Sequence, residues 1–142
     1  MRKHPRWAAW ILAAIAAAGF APLLLGQAAA GSRQEAPMAL VGKKLLFRYE
    51  SGLEVVGRYA SADTVEWEAL TGPAKGTKGT ERTHTREVAP GIFFVSWLES
   101  SGTTVSQVID LDTHRVTAFV TYAAGAERQA MLDHGSITEL PG

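Results

Sequence analysis

From Val41 onward apolar and polar residues alternate with a period of two, and no stretch keeps its apolar residues at 3.6-residue spacing. Residues 44–50 put Leu45, Phe47 and Tyr49 on one face, and residues 53–60 do the same with Leu53, Val55 and Tyr59. Residues 64–70 set Val65, Trp67 and Ala69 against Glu66 and Glu68, the pattern of a half-buried strand. Residues 92–99 carry Phe93, Val95, Trp97 and Glu99 on one face and Ile92, Phe94 and Leu98 on the other. Further strands are predicted over 103–111 and 115–122, with a weaker one over 135–140. Residues 80–88 are polar on both faces and rich in Thr, which suits an edge or mouth strand. Residues 71–79, with three glycines and one proline, read as a loop. Residues 123–133 fit a short helix or a strand.

Short turns separate these segments: Ser51-Gly52, Ser61-Ala62-Asp63, Pro90-Gly91, Ser100-Ser101-Gly102 and Asp112-Thr113. Seven or eight strands joined this tightly imply an all-β, antiparallel, up-and-down sheet. Such a sheet must close on itself to remove its edges. A small barrel of about eight strands has an interior just able to hold side chains or one small ligand.

Residues 1–30 read differently. Arg2, Lys3, His4 and Arg6 precede an uncharged run from Trp7 to Leu25, and Ala28-Ala29-Ala30 offers a small-residue exit. Those are the three parts of a secretory signal peptide, with a periplasmic or secreted destination and no membrane attachment after cleavage. The alternative is an uncleaved anchor, against which Gly19 and Pro22 interrupt the run. Residues 31–40 read as a flexible leader, and 41–142 as a single barrel domain.

The 142 residues include no cysteine, which removes disulfides, thiolate metal sites and a Cys nucleophile from consideration. Lys+Arg and Asp+Glu balance at 14 each. The basic cluster Lys75, Lys78, Arg82 and Arg86 has no interleaved aromatics, so nucleic acid is not an expected partner. His84, His114 and His134 lack zinc-like spacing, and no metal is expected. Ser96 and Ser106 have no local His–Asp companions and no Gly-x-Ser-x-Gly elbow, so a serine hydrolase is not supported.

The block from Gly91 to Ser106, GIFFVSWLESSGTTVS, resembles the central signature of bacterial phenolic acid decarboxylases. It equally resembles that of the lipocalin-like domain of molybdenum cofactor biosynthesis protein F (MoaF). Phe47–Glu54 is similar to the first hairpin of that family and Thr64–Gly72 to its third strand, so the likeness runs from about Gly42 to Tyr122. The resemblance implies a MoaF-like, lipocalin-type (calycin) barrel. In the decarboxylases the barrel holds a hydroxycinnamate between two tyrosines, an arginine at the mouth and a glutamate, without a cofactor. Here the second tyrosine falls on Tyr49 and the glutamate on Glu99, while Phe47 and Thr77 stand at the first tyrosine and arginine positions. Losing a hydroxyl and a guanidinium removes the means of orienting a carboxylate, so ordinary phenolic acid decarboxylase activity is not expected. Decarboxylase relatives pair as dimers, which makes a homodimer one of the partners the resemblance implies.

On this reading Tyr49, Phe47, Tyr59, Trp67, Thr77, His84, Trp97 and Glu99 are the candidate ligand-binding residues. His84 is included because residues 80–88 could turn it, with Arg82 and Arg86, toward an anionic ligand; the bland reading is a solvated strand. Glu99 either stands among aromatics inside the barrel, with its pKa raised by desolvation, or ends its strand in solvent. Tyr49 and the indoles either line a cavity or are plain core. Three functions follow: a barrel binding a small aromatic or hydrophobic ligand; a cofactor-free lyase, hydratase or isomerase with Glu99 and Tyr49 as catalytic acid–base pair; and an envelope interaction module with a filled barrel.

Overall fold

The computed structural model describes residues 39–142, so the expectations for a signal peptide and for most of the leader lie outside the described residues. Eight strands follow in chain order: β1 (Lys44–Tyr49), β2 (Glu54–Ser61), β3 (Thr64–Ala69), β4 (Lys78–Ala89), β5 (Ile92–Leu98), β6 (Thr104–Asp110), β7 (Arg115–Ala124) and β8 (Glu127–Leu140). Each pairs antiparallel with the next, and β8 returns to β1 to close an up-and-down barrel. The alternation in the sequence maps onto inside and outside. Leu45 and Phe47, Val55 and Tyr59, Val65 and Ala69, and Phe93, Val95 and Trp97 all face the lumen.

The two ends of the barrel differ. At the end that holds the β2–β3, β4–β5 and β6–β7 turns, Leu45, Phe93, Ile109, Val116 and Ile137 fill the interior. Leu40 seals this end and is 1% exposed, although its place in the sequence suggests a leader. The short turn that holds it is pinned by Gly42 N–H donating to the Tyr59 carbonyl and Tyr59 N–H donating to the Lys43 carbonyl. Burying one such side chain stabilises the fold by about 1.5–3 kcal/mol. Among the described residues the opposite end is open.

Closure depends on particular glycines. Trp67 on β3 lies opposite Gly57 on β2 and Gly79 on β4, so the large indole has no side chain beside it on either neighbouring strand. A Cβ at Gly79 would come within 2.8 Å of Trp67 Nε1. The sequence places Gly79 in a loop, but here it belongs to β4, where it makes room for the ring. At the seam, Gly135 of β8 pairs with both Val116 and Tyr49, and a Cβ there would collide with the Arg48 carbonyl.

Residues 123–133, open between helix and strand in the sequence, complete β7 and begin β8, turning at Gly125-Ala126. Gly125 has φ +66°, a conformation that favours glycine. The tip of this hairpin is exposed on both faces, so no alternation marks it. The outer face of β1–β4 is laced with exposed ion pairs, Arg48–Glu54, Arg58–Glu66 and Lys78–Glu68, which contribute little stability.

Candidate ligand cavity

The open half of the barrel holds a cavity of about 250 Å³. Small inward residues leave the space: Gly57 stands opposite Trp67, and Ala69 and Ala118 share the same lining. Ala74, from the loop between β3 and β4, partly roofs the mouth.

Six of the eight sequence candidates meet in this cavity: Phe47, Tyr49, Tyr59, Trp67, Trp97 and Glu99. Phe47 and Tyr49 stack with ring centroids 6.4 Å apart. Two candidates are placed elsewhere. The parity of β4 turns Thr83, 3% exposed, inward, so His84, Arg82 and Arg86 point to solvent. The placement of His84 inside the barrel is thereby corrected. Thr77 is exposed and acts through its backbone, its carbonyl accepting from Ala69 N–H and its N–H donating to the Ala74 carbonyl.

Two residues that sequence reasoning missed complete the site. Gln107 on β6 is 4% exposed and Asp133 on β8 is 8% exposed, and both line the cavity. Gln107 shares the inward face with Val105 and Ile109, and that polar residue in an apolar row was the available signal. Asp133 fell in the stretch whose secondary structure was open. The Gln107 amide donates to the Tyr49 hydroxyl at 2.7 Å, and Asp133 Oδ1 accepts from the His134 backbone N–H at 2.8 Å.

Among the described residues, five buried polar atoms lack a well-formed hydrogen bond: the Tyr59 hydroxyl, the indole N–H groups of Trp67 and Trp97 (the latter beside the Glu99 carboxyl), Gln107 Oε1 and Asp133 Oδ2. All five belong to residues that line the cavity. Buried polar groups are almost always paired, so this concentration of polar atoms without protein partners singles out the cavity as the candidate site. Among the described residues no three His, Asp or Glu side chains gather as metal ligands.

Electrostatics sharpen the picture. Burial pushes the Tyr49 phenol well above its ordinary value; the Gln107 amide opposes the rise and the Asp133 carboxylate adds to it. Burial does the same to Tyr59, and the Tyr49 ring adds to it. Both phenols therefore stay protonated and can donate. The Glu99 carboxyl is also raised, chiefly by desolvation and further by the nearby Glu81 carboxylate, while the Trp97 indole and the Ser101 hydroxyl pull it down. Glu99 is held at the mouth by its own turn, its N–H donating to the Thr103 carbonyl and its carbonyl accepting from Gly102 N–H.

Ser96 and Ser106 face outward and hydrogen-bond to each other at 2.9 Å. A solved structure from Burkholderia vietnamiensis, titled a "putative beta-lactamase", is similar to this chain at 25% identity with a TM-score of 0.63. The match covers 71% of this chain and 95% of that one. No curated protein matches. The MoaF-like family model matches residues 41–137, which span the barrel from just before β1 well into β8. With its closed eight-stranded antiparallel barrel and this match over most of its length, the chain belongs to the MoaF-like family.

Proposed function

We propose that the protein is an exported binding barrel that holds one small, flat, largely apolar molecule in the open half of its lumen. The observation that carries this reading is that the residues bearing the unpartnered buried polar atoms, among them Tyr59, Trp67, Gln107 and Asp133, all line the 250 Å³ cavity. An engineered apolar cavity of about 150 Å³ accepts benzene, so this one has room for a ring with a short substituent. Aromatic walls supply affinity, and the few polar atoms fix orientation. Export rests on the basic head, apolar run and small-residue exit of residues 1–30.

An interaction module keeps the exposed apolar side chains Phe94, Val108, Phe119 and Leu132 on the outer face of β5–β8, but its filled interior is met only at the closed end. An acid–base enzyme keeps one specific support, the raised Glu99 carboxyl at the cavity mouth. A β-lactam hydrolase gains none from the serines, because Ser96 and Ser106 lie outside the lumen.

Isothermal titration calorimetry of the full chain against a panel of small neutral aromatics tests the binding reading. Saturable heat with one or more of them is expected, and it should disappear in Ala118→Leu, which fills the cavity floor. Absence of binding across the panel, or binding that ignores Ala118→Leu, contradicts it.

A further inference from the structure

The charges around the cavity are of one sign. Among the described residues its lining contains two carboxylates, Asp133 and Glu99, and no lysine, arginine or histidine. A third carboxylate, Glu81, shares the inward face of β4 and lies near Glu99. The basic residues of β4, Arg82 and Arg86, point to solvent. An anion entering this lumen would lose its water, gain no countercharge and face a buried carboxylate.

Register adds a place for the opposite charge. Gln107, Ala118 and Asp133 form one row across β6, β7 and β8. Neighbouring strands are about 4.8 Å apart, so Gln107 and Asp133 start roughly 10 Å from each other, and their side chains reach inward over a single methyl group. The free acceptors Gln107 Oε1 and Asp133 Oδ2 both belong to this row. The Gln107 amide is oriented by its bond to Tyr49, which leaves Oε1 free. Aromatic rings of Phe47, Tyr49, Tyr59 and Trp97 supply the remaining walls, and their faces attract cations.

Building on the binding-barrel reading, we propose that the cavity selects a small organic cation, an amine on an aromatic body, with its ammonium between Gln107 and Asp133. An ammonium carries donors only, matching the two orphaned acceptors. The unpartnered indole N–H of Trp67 then serves a neutral acceptor, such as a hydroxyl, elsewhere on the same molecule, while that of Trp97 lies against the Glu99 carboxyl.

A matched trio of probes decides the matter: 2-phenylethylamine, 2-phenylethanol and 3-phenylpropionate, titrated calorimetrically into the full chain at neutral pH. The amine should bind at least about tenfold tighter than the alcohol, the scale expected of a charge-assisted hydrogen bond, and the carboxylate weakest of the three. Asp133→Asn, which retains an oxygen for the His134 N–H, should lower amine affinity to that of the alcohol and leave the alcohol unchanged. A carboxylate that equals or outbinds the amine overturns the proposal, as does an amine preference that survives in folded Asp133→Asn. If that variant does not fold, the ranking on the unaltered chain decides alone. Alcohol binding that Ala118→Leu abolishes, with no gain for the amine, leaves the binding barrel standing and removes only the charge assignment. No binding by any of the three removes both.

Discussion

The Gln107 amide donates to the Tyr49 hydroxyl at 2.7 Å, tying β6 to β1 across the lumen between residues 58 positions apart in the chain. The two strands are not neighbours in the sheet, so this bond crosses the barrel interior. Tyr49→Phe should leave the buried amide N–H without a partner and cost about 1–3 kcal/mol in chemical denaturation. The double variant Tyr49→Phe/Gln107→Leu removes both polar groups and should recover most of that loss. Equal losses in the single and double variants would show that the bond contributes nothing specific.

Gly135 permits the seam between β8 and β1. Gly135→Ala places a Cβ against the Arg48 carbonyl, a backbone atom that cannot swing aside. The barrel should lose about 2–3 kcal/mol or more by the same measurement, at the upper end of overpacking costs. A thermal midpoint within a degree or two of the unaltered chain would contradict the close approach.

The closed end should be separable from the cavity. Leu40→Ala empties a fully buried site and should destabilise the fold by about 2–5 kcal/mol while leaving probe affinity unchanged below the transition. A matching loss of affinity would mean that the plug and the cavity are one unit.

Glu99 sets a pH dependence with a definite sign. Its carboxyl titrates above its ordinary value of 4.5 in the folded chain, so folding favours the protonated form. That contribution is complete below the ordinary value and is lost as pH rises through the folded-state value. Glu99→Gln should therefore gain thermal stability relative to the unaltered chain between about pH 4 and neutrality, with little difference at the acid end. The opposite trend would place Glu99 in an environment that favours its charge.

Most of the fold was legible because a half-buried strand must alternate, and six of the eight strands, β1–β3 and β5–β7, do so. The eighth was half hidden. Glu127–Ala130 project beyond the rim, and Ala, Glu, Arg, Gln and Met are good helix formers, so neither period nor propensity decided the matter. His84 was misplaced because residues 80–88 are polar on both faces and parity had no apolar row to anchor it. Thr83 faces inward, a fact fixed by its pairing with Trp97 rather than by its own chemistry. Aromatic candidates gathered as expected because they share the inward parity of their strands. Asp133 escaped because its strand was unassigned, and Gln107 because a single uncharged amide between Val105 and Ile109 carries only a weak signal of its own.

The indole N–H resonances of Trp67 and Trp97 in a ¹⁵N-labelled chain test the existence of an occupied cavity most directly, since both groups are buried and belong to residues of its wall. On addition of 2-phenylethanol the two resonances should shift together and saturate, and in Ala118→Leu they should stay where they are. Resonances that hold still at saturating probe while signals from outward residues such as Phe94 or Phe119 move would contradict the account.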